Sequence, residues 1–332
     1  MTSRTYKLRS SRAVKSRVAI LDDYQRVALA SAPWETLGDA VEVTVFDDHV
    51  AGDDAVVERL AGFDIVVAMR ERTPFPRARL ERLPELRLLV TTGRVNASID
   101  LEAARELGVI VAGTDSLVTP TVELTWALIL ALARHVVAED RALREGGWQH
   151  TIGPELAGAT LGVVGLGRLG SQVAAIAQEF GMDVIAWSQN LDAAHAASLG
   201  VEAVAKDELF ARADVVTLHL RLSDRTRGLV GAAELGLMKP TAFLVNTSRG
   251  PIVDEAALLS ALHEGTIGGA GLDVFDVEPL PPDHPLRSAP RTVLTPHLGY
   301  VTTGNYELFF GGVVEDIAAY LRGEPVNVID GR

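Results

Sequence analysis

Thr160-Leu161-Gly162-Val163-Val164-Gly165-Leu166-Gly167-Arg168-Leu169-Gly170 is the stretch that decides the fold. Residues 161–164 form a short apolar run, which predicts a buried strand. The chain then turns through Gly165, Gly167 and Gly170 and enters a helical pattern over 171–180. A strand, then G-x-G-x-x-G, then a helix is the context of a dinucleotide-binding turn. Gly165 permits the tight turn, Gly167 lets backbone approach a pyrophosphate, and Gly170 lets helix and strand pack closely. The helix N-terminus offers unpaired N–H groups and a positive dipole end to phosphates. Arg168 adds a cation at the same place, beside Leu169.

Outward from this turn, strand patterns recur at 183–187, 214–219, 242–246, 270–274 and 293–295. With 161–164 they make six strands separated by helices, a complete doubly wound dinucleotide domain. The first half alternates in the same way. Strands are predicted at 18–21, 41–46, 63–69, 86–91 and 109–112, with helical patterns such as 55–61 and 101–107 between them. Such alternation implies right-handed crossovers and parallel sheets. The predicted fold class is therefore α/β, with two doubly wound parallel-sheet domains, a flavodoxin-like substrate domain and a Rossmann dinucleotide-binding domain. One long helix is predicted over 121–144, opened by Pro120 and stopped at Gly146-Gly147, and a last helix over 306–321 returns to the first domain. The expected organisation is a basic, disordered tail at 1–17, a substrate domain of 18–117 plus 299–332, and a dinucleotide domain of 118–298. Crossings near 116–120 and 299–304 would form a hinge. A dinucleotide turn in mid-chain argues against lactate/malate-type dehydrogenases and short-chain reductases, which open with it.

The 332 residues suit two domains of about 150 residues each. Hydrophobic residues at 48% supply a core for each, and charged residues at 23% are ordinary for a globular protein. A net charge of −13 argues against nucleic acid or an anionic membrane as the main partner. The absence of Cys removes disulfides, thiolate zinc sites and Cys nucleophiles, and fits a cytoplasmic protein. No metal site is expected. The longest apolar stretch, 126–133, is far short of the ~20 residues a membrane span needs. The tail carries Arg4, Lys7, Arg9, Arg12, Lys15 and Arg17 with no acid and no apolar core, so it is not a secretory signal.

Ligands of open α/β sheets sit outside the carboxyl ends of the strands. That places Arg70, Arg72, Gly93 and Arg94 on the functional rim of the first domain, with Arg94, Gly93 and Arg70 as candidate anion contacts. In the second domain an acid should end the second strand and hold the ribose hydroxyls. Here that strand ends in Trp187-Ser188-Gln189-Asn190; Ser188 takes the acid's place, Asp183 lies at the strand's other end and Asp192 comes late. The missing carboxylate makes NADP possible beside NAD, although no Arg follows locally; NAD is the expectation. Three further motifs end strands: Asn246-Thr247-Ser248-Arg249-Gly250, Asp273-Val274-Phe275-Asp276-Val277-Glu278-Pro279 and Thr295-Pro296-His297. Together they bring an Arg, a Glu and a His to one rim.

These anchors, with Gly-Leu-Gly-Arg-Leu-Gly at 165–170, resemble in order and spacing the D-isomer-specific 2-hydroxyacid dehydrogenases, the family of phosphoglycerate dehydrogenases and glyoxylate/hydroxypyruvate reductases. The resemblance covers nearly everything from residue 18 onward. It implies NAD(P)-dependent interconversion of a D-2-hydroxy acid and its 2-keto acid. His297 would be the general acid/base, Glu278 its partner favouring the charged form, and Arg249 the contact for the substrate carboxylate. Asp273 would hold the nicotinamide carboxamide, Thr247 would lie beside the ring, and Arg168 and Leu169 would contact the pyrophosphate. A small-molecule substrate and a homodimer through the long helix are implied as well. Two departures stand out. Ser188 replaces the usual acid, and Arg94 replaces a small residue in the substrate loop, where it would read a second anionic group. Formate dehydrogenase, a rival within the family, lacks the Glu partner. A nucleotide-sensing corepressor on the same fold is the alternative outside catalysis.

Overall fold

A computed structural model describes residues 15–329. The basic tail falls largely outside the described residues, but its last part does not. Strand β1 (Ser16–Ile20) begins inside the expected tail. Arg17 is held there because its backbone N–H donates to Asp64 and its guanidinium donates to Gly62 O and stacks on Phe63.

The chain divides into two compact units, one running to Ser116 and resuming at Thr302, the other spanning Leu117–Val301. The first unit holds β1, β2 (Val41–Val45), β3 (Ile65–Ala68), β4 (Leu88–Thr91) and β5 (Ile110–Gly113). They form a five-stranded sheet in the order β2-β1-β3-β4-β5, and every pairing is parallel. Strands β3 and β4 are buried along their whole length, which is why they read as unbroken apolar runs rather than alternating ones. The helix Thr303–Leu321 belongs to this unit and buries Tyr306, Phe309, Phe310, Val313 and Ile317. Past it, residues 327–329 run antiparallel to β5, with Gly113 N donating to Asn327 O and Ile329 N to Val111 O.

The second unit holds β6 (Thr160–Val164), β7 (Asp183–Trp187), β8 (Glu202–Ala203), β9 (Val215–Leu218), β10 (Phe243–Asn246), β11 (Gly269–Leu272) and β12 (Thr292–Leu294). Their order is β12-β11-β10-β9-β6-β7-β8, again parallel throughout. The sheet thus has one strand more than the sequence pattern shows, because β8 is only two exposed residues at the edge. The strand order reverses between β6 and β9, so the crevice outside their carboxyl ends is where a ligand of such a sheet sits.

The predicted single helix over 121–144 is two helices, Thr119–Ala133 and Val136–Arg144, bent by 62°. The chain turns left-handed at His135, φ 51°, and Gly153 returns so close to Ala133 O that a Cβ there would lie 1.9 Å from it. The surroundings change at the bend. The first helix buries eight residues, among them Trp126, Leu128, Ile129 and Leu132, whereas the second buries none. An apolar pattern running through 121–144 hides this change. Among the described residues, no single helix is long and apolar enough to cross a membrane.

Candidate active site

The turn after β6 has the shape its glycines predict. Gly165 sits at φ 101°, and a Cβ there would be 2.7 Å from His219 O; a Cβ on Gly170 would be 2.2 Å from Gly165 O. Gly167 is different. Its Cβ position meets nothing within 4 Å, and it caps the 12-residue helix Arg168–Glu179 with no side-chain bond to the first N–H groups. Two glycines therefore serve packing, while the third leaves an open approach to unpaired backbone donors, a cradle suited to a pyrophosphate. Arg168 is exposed and Leu169 half-buried beside it.

At the end of β7, Ser188 is half-buried. Asp183 begins the strand, and Asp192 accepts from Ala194 N to cap the next helix. Neither carboxylate takes the place that Ser188 occupies.

The loop after β10 is organised by its own polar groups. Asn246 Oδ1 accepts from Ser248 N at 3.0 Å and Asn246 Nδ2 donates to Arg249 O at 2.9 Å. Ser248 Oγ donates to Leu218 O at 2.6 Å, tying this loop to β9. Arg249 Nη1 donates to Ser248 O at 2.7 Å, which fixes the base of its fork. Gly250 permits the next step, because a Cβ there would lie 2.1 Å from the carbonyl carbon of Phe275. The Arg249 loop thereby lies backbone to backbone on the loop that carries Glu278.

Glu278 uses both oxygens. Oε1 accepts from Phe275 N at 2.9 Å, and Oε2 lies 2.6 Å from Nδ1 of His297. Burial alone would raise its pKa, but the hydrogen bond and charge of His297, the Phe275 N–H and the charge of Arg249 outweigh that and hold it below the ordinary glutamate value. His297 has φ 54°, a conformation that a non-glycine residue adopts only when its surroundings impose it. Here Asp273 does so. Its backbone O accepts from His297 N at 2.8 Å. Its carboxylate accepts from Thr295 Oγ1 (2.6 Å), Leu298 N (2.7 Å) and Gly299 N (2.8 Å). Asp273 is wholly buried, and burial raises its pKa despite these donors. Tyr300 meets the His297 ring edge-on, centroids 5.4 Å apart.

The second unit thus brings Thr247, Arg249, Asp273, Glu278 and His297 together at the ends of β10, β11 and β12. Three of the acceptor positions of Asp273 already hold the His297 loop. Two further residues were not anticipated. His219, at the end of β9, keeps Nε2 at 3.0 Å from Thr217 Oγ1, and burial pushes its pKa down to about 4. Its place at a strand end was the only available signal. Thr125 lies 2.9 Å from Thr247 Oγ1, and nothing in an apolar helical run marks it.

In the first unit, Gly93 has φ 96° and Arg70 lies across it, with Nη1 2.0 Å from where a Cβ would be. Arg72 donates to Asp22 O and stacks on Tyr24. Arg94 is exposed and already engaged: Nε donates to Asp115 Oδ1 at 2.5 Å and Nη2 to Asn327 Oδ1 at 3.3 Å.

A model of the D-isomer specific 2-hydroxyacid dehydrogenase NAD binding domain matches residues 126–299. A glyoxylate reductase of Aeropyrum pernix is 41% identical over 262 residues, 76% of this chain and 78% of that protein. A D-3-phosphoglycerate dehydrogenase of Methanocaldococcus jannaschii is 39% identical over 275 residues, covering 82% of this chain and 52% of its own. Among solved structures, a phosphoglycerate oxidoreductase from Vibrio cholerae superposes with a TM-score of 0.88 at 38% identity, over 93% of this chain and 99% of that one.

Proposed function

The chain belongs to the D-isomer-specific 2-hydroxyacid dehydrogenase family, and we propose that His297 with Glu278, together with Arg249, carries its NAD(P)-dependent interconversion of a D-2-hydroxy acid and the 2-keto acid. The observation that supports this reading above all is the 2.6 Å contact between Glu278 Oε2 and His297 Nδ1. With Nδ1 turned to the carboxylate, Nε2 is the ring nitrogen left to exchange a proton with substrate. In reduction the His297 imidazolium gives that proton to the keto oxygen; in oxidation the neutral ring takes it from the hydroxyl. Glu278 holds Nδ1 and so fixes the orientation of the ring. It also argues against the formate rival, where no proton moves. Arg249, its fork based on Ser248 O, holds the substrate carboxylate and draws charge from the adjacent carbonyl.

Bound nicotinamide supplies the hydride in one direction and accepts it in the other. Gly165, Gly167, Arg168, Leu169 and Gly170 would hold its pyrophosphate, Ser188 its adenosine ribose, and Thr247 and Asp273 its nicotinamide end. Asp273 has one acceptor position left for that task. NAD is the favoured cofactor, and Ser188 puts no negative charge against the 2′-phosphate of NADP. We assign the unit of β6–β12 to the dinucleotide and the unit of β1–β5 to the substrate, with Gly93, Arg94 and Arg70 as its contacts. The Asp115 carboxylate on Arg94 competes with a second substrate anion, which favours compact, singly charged 2-keto acids. A homodimer fits the helix Val136–Arg144 and the segment after it, where Val136, Val137, Leu143 and Trp148 are exposed.

The test is loss of NADH or NADPH absorbance with glyoxylate, hydroxypyruvate, pyruvate, 2-oxoglutarate and phosphohydroxypyruvate. Turnover of a small monoanion with NADH is expected; nucleotide binding with no turnover on any 2-keto acid would contradict the proposal.

A further inference from the structure

Two threonines one turn apart on the helix Thr119–Ala133 hold two of the loops that carry the site. Thr121 Oγ1 donates to Gly299 O at 2.8 Å, just past His297. Thr125 Oγ1 donates to Thr121 O at 2.8 Å and lies 2.9 Å from Thr247 Oγ1. The direction of the last bond follows from counting protons. A hydroxyl has one proton to give. That of Thr125 goes to a carbonyl oxygen, which can only accept. The proton between the two hydroxyls therefore belongs to Thr247. Thr125 is wholly buried, so water does not displace this arrangement, while Thr247 keeps 7% exposure. Whatever else meets Thr247 Oγ1 finds lone pairs and no proton.

We propose that Thr125 is a positioning residue that fixes the Thr247 hydroxyl as a hydrogen-bond acceptor, so that it selects the NH2 group of the nicotinamide carboxamide over its carbonyl oxygen. This rests on the placement of Thr247 beside the nicotinamide ring. Asp273 gives it added importance, because three of its acceptor positions are filled by Thr295, Leu298 and Gly299. A buried hydroxyl on an apolar helix needs a reason, since valine has the same shape at lower desolvation cost. Holding the Thr247 proton supplies one.

The test is binding, measured by calorimetry with the full chain and no substrate. The probes are NAD and its 3-acetylpyridine analogue, in which a methyl group replaces the carboxamide NH2 and the carbonyl remains. The wild type should prefer NAD by well over 5-fold, because Thr247 contributes about one hydrogen bond to the NH2 group, worth ~5-fold, and Asp273 another. Thr125→Val frees the Thr247 hydroxyl to turn and donate. The preference should then fall by about 5-fold, the worth of the Thr247 bond, with NAD weakened and the analogue not. Thr125→Ser should restore it, and Thr247→Val should lower it as far by a second route should Thr125→Val fold poorly. An unchanged preference in Thr125→Val or Thr247→Val, with both affinities moved equally, would overturn the proposal and leave Thr125 a packing residue. A wild type that binds neither dinucleotide would overturn the functional reading itself, and this inference with it.

Discussion

Asp273→Asn keeps the shape of the side chain and removes its charge. Three donors meet the carboxylate, two at Oδ1 (Thr295 Oγ1 and Leu298 N) and one at Oδ2 (Gly299 N). An amide has a single acceptor oxygen. Placed at Oδ1, it keeps two bonds but turns them from charged to neutral, a loss of roughly 1 kcal/mol each. Its NH2 then faces the Gly299 N–H, and that buried donor without an acceptor costs about 1–3 kcal/mol more. Against this, the variant no longer buries a charge, and burial already raises the pKa of Asp273. A net loss of about 2–4 kcal/mol remains after that offset. It falls on the loop that keeps His297 at φ 54°, a conformation that itself costs about 1–3 kcal/mol. Urea unfolding of the ligand-free protein should show the loss. Amide exchange at Leu298 and Gly299 should accelerate, and kcat should drop by roughly a hundredfold as His297 loses its place. A variant within about 0.5 kcal/mol of wild type, with unchanged exchange and turnover, would refute the claim that Asp273 holds this loop.

Asp316 is almost wholly buried, with Oδ1 accepting from Asn327 at 2.8 Å, and burial pushes its pKa from 3.8 up to about 6. The folded form therefore holds an extra proton between those values, and stability falls as pH rises through that window. Asp316→Asn should remove this slope and gain about 1–3 kcal/mol at pH 7; a urea midpoint no higher than wild type at pH 7.5 would count against it. His219 has the opposite sign, because its pKa is lowered from 6.5 to about 4. The folded form holds fewer protons in that interval, so stability is lost as pH falls through it. His219→Gln should flatten that acid limb, read from urea midpoints at pH 4.5 and 7. Ser188→Asp should weaken NADPH binding at least tenfold, from a like charge set against the 2′-phosphate, and leave NADH nearly unaffected; equal effects on both would move Ser188 away from the ribose.

Much of this was legible in the sequence because strand ends are legible. Apolar runs that stop at polar residues place Arg249, Asp273, Glu278 and His297 on one rim of a parallel sheet, and the glycine turn says what that rim is for. The parts that were not legible depend on partners distant in the chain. Arg94 reads as a cation on a substrate rim until Asp115 and Asn327, 21 and 233 residues away, are seen to hold it. Asp273 reads as a cofactor contact, yet most of its carboxylate serves the loop 22 to 26 residues on. Thr125 is one polar residue in an apolar helix, and only the fold brings it to Thr247. The bend at His135 was hidden because hydrophobic periodicity continues through it, though one side is buried and the other exposed.

His297 is proposed to move the proton at a site where the dinucleotide binds independently of it. The measurement that tests this most directly pairs turnover of a small 2-keto acid with NADH affinity, both in the wild type and in His297→Asn. A loss of about 10²–10⁴-fold in kcat is expected, the usual worth of a general acid, with the NADH dissociation constant unchanged. Undiminished turnover in His297→Asn would contradict it.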